Sequence, residues 1–350
     1  MRTILFVTQS NSSAALAKKI QDSGDRVIVE ENLFEGSLFN PEVLKRAVRE
    51  NPELVIMDAN FEAGQSAKIE FEKAGIPVYG SSLLSKSIIN NGEYISKILN
   101  VNGVKTSGIP EMAVPLTYSV IMNGREKICA CIFFEYDYLM NDNKGPKAFM
   151  GSIGYYGDIP AIEEKMAPMV NALIMSGFSG KIDFNLKLKH DVWCDGIHFY
   201  FSWNTIYNFL ENINLSPSEL FCKLSLSQEL KIKFYEKWSC QINCAVPPFP
   251  YELSKKYETK IGGIDSNNGK HLWVTNFKSG ELLCATGHGK YVREAKRRAY
   301  RSLSNVSAED IMYRTDIGLE TVETCKRLRS GGWLQIKDDE LLEPYKKVLA

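Results

Sequence analysis

The sequence predicts an α/β protein with a parallel sheet at its N-terminus, an α+β core and a C-terminal mixed α+β domain. Short apolar runs alternate with helical patterns through residues 1–107. Residues 108–234 change to strands mixed with helices, and in residues 235–350 strands precede a basic helix. Alternation of strands and helices over short connections favours a parallel sheet with helices on its faces. These three ranges are the predicted domains.

The N-terminal elements follow from apolar periodicity and from one proline at a helix start. Strands are predicted at Thr3–Val7, Arg26–Glu30, Leu54–Met57 and Pro77–Tyr79, and helices at Ser12–Ser23, Pro41–Glu50 and Ala67–Ala74. Ligands of such sheets bind beyond the carboxyl ends of the strands. Those ends are Thr8–Ser13, Asp58–Glu62 and Gly80–Ser82.

Later elements begin with a hairpin over residues 111–138, whose turn is Asn123-Gly124. A long Gly/Asn-rich loop is predicted at residues 141–158. Further strands are predicted at Gly180–Lys189, Gly196–Trp203, Cys240–Val246, Lys260–Ile264, 271–277 and 281–286, and helices at Ala161–Ser176, from Glu219, and at 290–304. The aromatic residues from Trp193 to Trp203 indicate a buried central strand rather than an exposed patch for self-association.

Composition excludes few functions. The chain has 350 residues, of which 44% are hydrophobic, and Lys+Arg and Asp+Glu both number 42. Overall charge therefore favours neither nucleic acid nor a membrane. The eight cysteines lack paired CxxC spacing, so we expect buried thiols of a reducing compartment and no zinc site. The first apolar run is predicted as a strand rather than a signal peptide. No run reaches the ~18 apolar residues that would predict a membrane span. A cytoplasmic location is therefore expected.

The segment from Gly280 to Leu303 carries a basic helix behind a glycine-rich turn. Val292, Ala295, Ala299 and Leu303 form an apolar stripe, which favours a helix packed on a sheet with a solvated basic face. Phosphate contact is the alternative, because Gly287-His288-Gly289 could present backbone N–H groups to an anion. No clear nucleic-acid-binding signal is present, since aromatic residues do not interleave with the basic ones.

Several motifs carry a resemblance to a known family. The C-terminal strings LLCATGHG, REAKRRAY and YRTDIG are accompanied by KIGGI (260–264), GIPVYGSS (75–82), SKILNVNGVKTSG (96–108) and GPKAFMGSIGYYGD (145–158). In this order they resemble phosphoribosylamine–glycine ligase, also called glycinamide ribonucleotide synthetase, of the ATP-grasp group. The resemblance implies a pre-ATP-grasp-like N-terminal domain and an ATP-grasp-like core. It also implies purine biosynthesis, with ATP, magnesium and glycine as ligands.

The sequence departs from that family where the family binds ATP. Residues 108–144 leave room for two or three strands, which implies a truncated core with a reduced ATP-binding lobe. The string GIHFYF places His198 and Tyr200 where the family has carboxylate and amide ligands of magnesium, and SWNTIY (202–207) replaces the segment that normally follows. Glu93 stands at a family lysine position. We therefore expect no cofactor and no metal.

The candidate site lies in the crevice between the N-terminal sheet and the glycine-rich loop. The candidate ligand-binding residues are Thr8, Ser10, Ser12, Ser13, Ser81, Ser82, Gly145, Lys147, Gly151, Arg314 and Asp316. His198 and Lys147 are the catalytic candidates. Several of these residues have a structural alternative. Ser12 or Ser13 could cap a helix, Lys147 could be a surface lysine, His198 could be a hydrogen-bonded core histidine, and Arg314 and Asp316 could form a structural brace.

Three functions remain open from the sequence. The first is an enzyme without ATP that makes or breaks a carbon–nitrogen or phosphoester bond on a pre-activated substrate, with a phosphoribosyl compound or nucleotide, and an amino acid such as glycine, as ligands. The second is a non-catalytic binding or partner protein on the same scaffold. The third is an active ATP-dependent ligase.

Overall fold

The structure is a computed structural model that describes residues 1–8, 14–30, 34–35, 38–58, 62–79, 88, 91–138, 148–198, 203–250, 259–275 and 280–341. The strands are β1 Thr3–Thr8, β2 Arg26–Glu30, β3 Phe34–Glu35, β4 Leu38–Phe39, β5 Leu54–Asp58, β6 Val78–Tyr79, β7 Val114–Asn123, β8 Lys127–Asp137, β9 Phe149–Tyr155, β10 Ser179–Leu188, β11 Val192–His198, β12 Trp238–Ala245, β13 Leu272–Val274 and β14 Glu281–Gly289. The α-helices are α1 Ala14–Asp22, α2 Pro41–Arg49, α3 Glu62–Lys73, α4 Gly92–Asn100, α5 Pro160–Met175, α6 Trp203–Glu211, α7 Pro217–Ser225, α8 Val292–Leu303, α9 Thr321–Ser330 and α10 Asp338–Leu341.

The N-terminal sheet is parallel, in the order β2-β1-β5-β6. Alternate residues of β1 point to opposite faces, so Ile4 and Phe6 pack with α1 while Leu5 and Val7 pack with α2 and α3. Asn40 caps α2 by accepting the Glu42 N–H at 3.0 Å. The predicted parallel sheet with helices on both faces is confirmed.

A larger sheet holds eight further strands, in the order β11-β10-β7-β8-β9-β12-β14-β13, and β3 pairs with β4 in a separate two-stranded sheet. The predicted hairpin forms β7 and β8, which are two central strands of this sheet. Because β12 pairs with both β9 and β14, the sheet is continuous across the predicted boundary at residue 234. The division into three domains stays a prediction.

The two faces of the large sheet differ in chemistry. One face is apolar and packs against α5, α8 and α9, and Ile182 and Phe184 of β10 belong to the same core cluster as Met166 and Ala295. The opposite face carries polar side chains among apolar ones and is covered by α6, α7 and the N-terminal sheet. The buried polar residues of that face include Ser119, Ser152, Lys181, Asp183, Gln241 and Thr286.

The predicted loop at residues 141–158 is wrong over its second half, because residues 149–155 form β9 in the sheet centre. Gly154 is one of the glycines in the segment that predicted this loop. An added Cβ there would lie 2.6 Å from the Ser239 Oγ and 2.9 Å from the Phe133 ring. Glycine is therefore required here by close packing between strands rather than by a turn.

Two further strand predictions are corrected. The strand predicted at Gly196–Trp203 is β11, which ends at His198 and lies at the sheet edge rather than its centre. Residues 199–202 of the predicted strand lie outside the described residues, and Trp203, its predicted last residue, begins α6. Residues 260–264 are not a strand and make one isolated bridge, Gly262 to Ser307.

The predicted turn at Gly287-His288-Gly289 is the end of β14. An added Cβ at Gly287 would lie 2.6 Å from the Ala299 N, and one at Gly289 would lie 2.6 Å from the Ala295 N. These glycines let α8 sit directly on the strand. The predicted apolar stripe of α8 is confirmed, because all four of its residues are buried.

Candidate functional site

Much of the predicted site falls outside the described residues. Those residues are Ser10, Ser12, Ser13, Ser81, Ser82, Gly145, Lys147 and Tyr200, and the side chain of Thr8. Their neighbours show where the site would lie. The carboxyl ends of β1, β5 and β6 meet at one edge of the parallel sheet, at Thr8, Asp58 and Tyr79.

Tyr79 joins that edge to the polar face of the large sheet. Its hydroxyl accepts the backbone N–H of Lys181 in β10 at 2.8 Å. Gly180 permits the approach, because a Cβ there would lie 3.3 Å from the Tyr79 hydroxyl. Burial raises the pKa of the Tyr79 phenol far above its usual range, so the group stays neutral. Strand β10 and its neighbouring strands therefore lie at the base of the predicted crevice.

The first polar group beyond this junction is a buried ion pair between Lys181 and Asp183, whose side chains are each 1% exposed. Asp183 also accepts hydrogen bonds from Ser119 and, at 2.8 Å, from Thr205 of α6. Lys181 Nζ donates to the Thr205 hydroxyl at 2.6 Å. Each charge is compensated by close partners, which is the condition for a buried pair to persist. This cluster fixes α6 to the sheet.

Asn185 and His198 lie further along the same face and are half-buried. The Asn185 Nδ2 lies 3.2 Å from the His198 Nε2. An amide NH₂ donates, so this contact is a hydrogen bond in the tautomer whose Nε2 carries no proton. His198 is thus half-buried beside Asn185 on an edge strand, and its role as a ligand-binding residue or as a hydrogen-bonded core histidine stays a prediction.

The described residues around His198 do not fit a magnesium site. Mg²⁺ takes oxygen ligands in octahedral geometry. Here the nearest groups are an imidazole, one amide and the Asp183 carboxylate, which is already occupied by Lys181, Ser119 and Thr205. Over the described part of the chain no group of three or more His, Cys, Asp or Glu side chains could hold a metal ion.

The remaining predicted residues lie away from His198. Gly151 is in β9, and a Cβ there would lie 2.5 Å from the Gln241 carbonyl oxygen. Arg314 donates from Nε to Asp316 Oδ1 at 2.8 Å and from Nη1 to the Asp137 carbonyl at 2.6 Å. The predicted pairing of Arg314 with Asp316 is present, and it braces the end of β8.

One polar cluster was not predicted from the sequence. Glu211, at the end of α6, is 5% exposed at its side chain, and its Oε1 accepts from the Nδ1 of His271 at 2.9 Å and of His288 at 3.1 Å. Its Oε2 accepts from Thr286 at 2.7 Å. Burial raises the pKa of Glu211, but these hydrogen bonds outweigh burial and lower it to about 2. A lone glutamate ending an apolar helix gave no sequence signal for this cluster.

Comparison with known proteins agrees with the fold. No protein-family model matches the chain. The phosphoribosylamine–glycine ligase of Clostridium acetobutylicum is 29% identical over 119 residues, which are 32% of this chain and 27% of that ligase. The crystal structure of the Thermotoga maritima phosphoribosylamine–glycine ligase superposes over 90% of this chain and 100% of that chain, with a TM-score of 0.62 at 14% identity. The chain is similar in sequence to phosphoribosylamine–glycine ligase over 32% of its length, and it has the ATP-grasp fold.

Other ATP-grasp proteins share the same architecture. Biotin carboxylase from Campylobacter jejuni, solved as a complex with β,γ-ATP, covers 94% of this chain and 96% of its own, with a TM-score of 0.62 at 9% identity. Identities this low show the fold alone. The aligned stretch of the curated ligase spans less than a third of that protein.

None of the described helices is both long and apolar enough to cross a membrane.

Proposed function

We propose that the chain binds a phosphoribosyl compound or a nucleotide in the crevice between the N-terminal sheet and the polar face of the large sheet. The observation that carries this proposal is the junction of Tyr79 with Lys181 at 2.8 Å. It brings the ligand-binding edge of a parallel sheet against a strand that presents Asn185 beside His198. The related nucleotide-binding fold supports the same assignment.

The proposal includes action without ATP or magnesium. Two observations support it: residues 114–137 form a hairpin within the large sheet, and the donors around His198 do not fit Mg²⁺. The substrate would then be activated in advance. An amine attacks a carbon that carries a phosphate or pyrophosphate, the carbon–oxygen bond breaks, and the phosphate leaves with the electron pair while the amine loses a proton to a base. Glycine is the candidate amine, in a reaction of purine biosynthesis. His198 and Lys147 are the candidates for accepting the amine's proton and for stabilising the charge on the leaving phosphate.

A non-catalytic binding protein is the second candidate. The observation that favours it is the mutual hydrogen bonding of Lys181, Asp183, Ser119 and Thr205, because groups that satisfy one another in the core are committed to structure. Binding of ribose 5-phosphate, with no turnover of glycine and a phosphoribosyl compound that carries pyrophosphate on its anomeric carbon, would support this candidate over the enzyme.

The test is titration calorimetry of ribose 5-phosphate on the full chain and two variants. Loss of a charge-assisted hydrogen bond costs ~1.5–3 kcal/mol, so His198→Ala should weaken binding at least about tenfold. The matched control is His190→Ala, because His190 is 68% exposed at the β10–β11 turn. Equal affinity in wild type and His198→Ala, or absence of binding to wild type, would reject the proposed site.

A further inference from the structure

A cavity of about 530 Å³ opens beside the Glu211 cluster. His271 and His288 line it together with Lys270, Arg298 and Arg301. These residues come from three separate parts of the chain: the turn before β13, the end of β14, and α8. The cavity is therefore assembled by the fold and has no continuous sequence motif.

The buried carboxylate of Glu211 sets the orientation of both histidine rings relative to this cavity. Both Nδ1 atoms contact the same Glu211 oxygen, so the two nitrogens cannot lie further apart than the sum of 2.9 and 3.1 Å. Since Nε2 lies on the opposite edge of an imidazole from Nδ1, each ring directs Nε2 away from the core. The rings are 30% and 23% exposed at their side chains, and His288 stacks on Tyr235 with centroids 5.3 Å apart.

The charge around the rings suits an anion. Within the described residues Lys270 and Arg301 make no ion pair, although both line the cavity. Arg298 donates to the His288 carbonyl at 2.8 Å and pairs with Glu294, which holds the end of β14 in place. Asp265 also lines the cavity, but its Oδ1 accepts the N–H groups of Asn267 and Asn268.

We propose that this cavity is a second small-molecule site that binds a phosphomonoester, with the Nε2 atoms of His271 and His288 against the phosphate oxygens and Lys270 and Arg301 balancing its charge. A histidine ring that carries protons on both nitrogens keeps its Nδ1–H on Glu211 and donates from Nε2 to a phosphate oxygen. Lys270 and Arg301 on the cavity wall supply the further positive charge that recognises phosphate. Glu211 also lines the cavity, but its two oxygens accept hydrogen bonds from His271, His288 and Thr286, so it acts as a positioning residue that orients the rings.

This site is separate from the crevice of the proposed function. Asn185 and His288 lie in one cross-strand row through Thr117, Phe133, Gly154 and Ser239. Five strand spacings of ~4.8 Å place them roughly 24 Å apart along the sheet. Failure at one site therefore leaves the other untouched.

Histidine NMR tests the proposal directly, because the chain has only four histidines. Inorganic phosphate is titrated into the full chain while the ring C–H resonances are followed, with assignments from single His→Asn variants. Saturable shifts of His271 and His288 together, with His190 unmoved, are expected. Shifts confined to His198 would place phosphate in the crevice only and overturn the second site, as would the absence of any saturable shift.

Variants supply the second measurement. His288→Asn and Arg301→Ala should each weaken phosphate binding at least about tenfold in calorimetry, since each removes one strong contact. Arg297→Ala on the same helix is the matched control, because Arg297 does not line the cavity. If Arg297→Ala weakens binding as much as Arg301→Ala, phosphate binds the basic helix non-specifically and the proposal fails.

Discussion

Asn185 and His288 occupy the two sides of a single cross-strand row on the polar face of the eight-stranded sheet. Helix α6 lies across that face between them. Its Asn208 donates to Gln241 Oε1 at 3.0 Å and to Ser152 Oγ at 2.8 Å, on the strands in the middle of the row. The buried polar groups of this face thus hold α6 in place across the middle of the row.

Glu211→Gln should destabilise the fold in a pH-dependent way. The folded-state pKa of Glu211 is about 2, below an ordinary value of 4.5, so its contribution is complete above about pH 4.5 and is lost as the pH falls towards 2. A shift of that size corresponds to about 3 kcal/mol at neutral pH. Urea unfolding of wild type and variant between pH 3 and 7 measures it.

The control for this prediction is Glu219→Gln in α7. Glu219 is 37% exposed and pairs with Lys223 one helical turn away, so its replacement should change the free energy of unfolding by less than about 0.5 kcal/mol. A Glu211→Gln penalty that stays constant down to pH 3 would show that the carboxylate charge is not the stabilising element.

Lys181→Met should cost ~3–5 kcal/mol of unfolding free energy, because it leaves Asp183 charged and buried. The double variant Lys181→Met, Asp183→Leu removes both charges and should cost much less than the sum of the two single changes. Chemical denaturation of the four proteins in this cycle gives the coupling energy. Additive single effects would mean that the two side chains do not form the pair described.

Gly287→Ala should be strongly destabilising, by at least ~2 kcal/mol, because the new Cβ meets the backbone of α8 at 2.6 Å and neither strand nor helix can move independently. Gly92→Ala is the matched control, since no atom lies within 4 Å of its added Cβ. Thermal unfolding of both variants measures the difference. Similar melting temperatures for the two would contradict the close packing of α8 on β14.

Apolar periodicity predicted the elements that bury one face. The stripe of Val292 to Leu303 and the alternation in β1 follow from local spacing, so both were found. Glycines misled the prediction where tertiary packing, not a turn, requires them, as at Gly154 and Gly287. The atoms that exclude a side chain at these positions belong to other elements, Ser239 of β12 and Ala299 of α8, and local sequence does not record how those elements pack.

The sites divide in the same way. The pairing of Arg314 with Asp316 was predictable because the two residues are only two positions apart in the sequence. Glu211, His271 and His288 converge from three distant segments, and each looks ordinary in its own segment. Such a cluster is visible only after the strands have been placed in order.

The central claim is that the crevice binds a phosphoribosyl ligand without using ATP. Thermal unfolding of the full chain with ribose 5-phosphate and, separately, with Mg-ATP tests it most directly, because a ligand specific for the native state raises the melting temperature according to RT ln(1 + [L]/Kd). We predict a rise with ribose 5-phosphate that is reduced in His198→Ala, and no rise with Mg-ATP. A rise with Mg-ATP that is abolished in His198→Ala would contradict the account and indicate an ATP-dependent ligase.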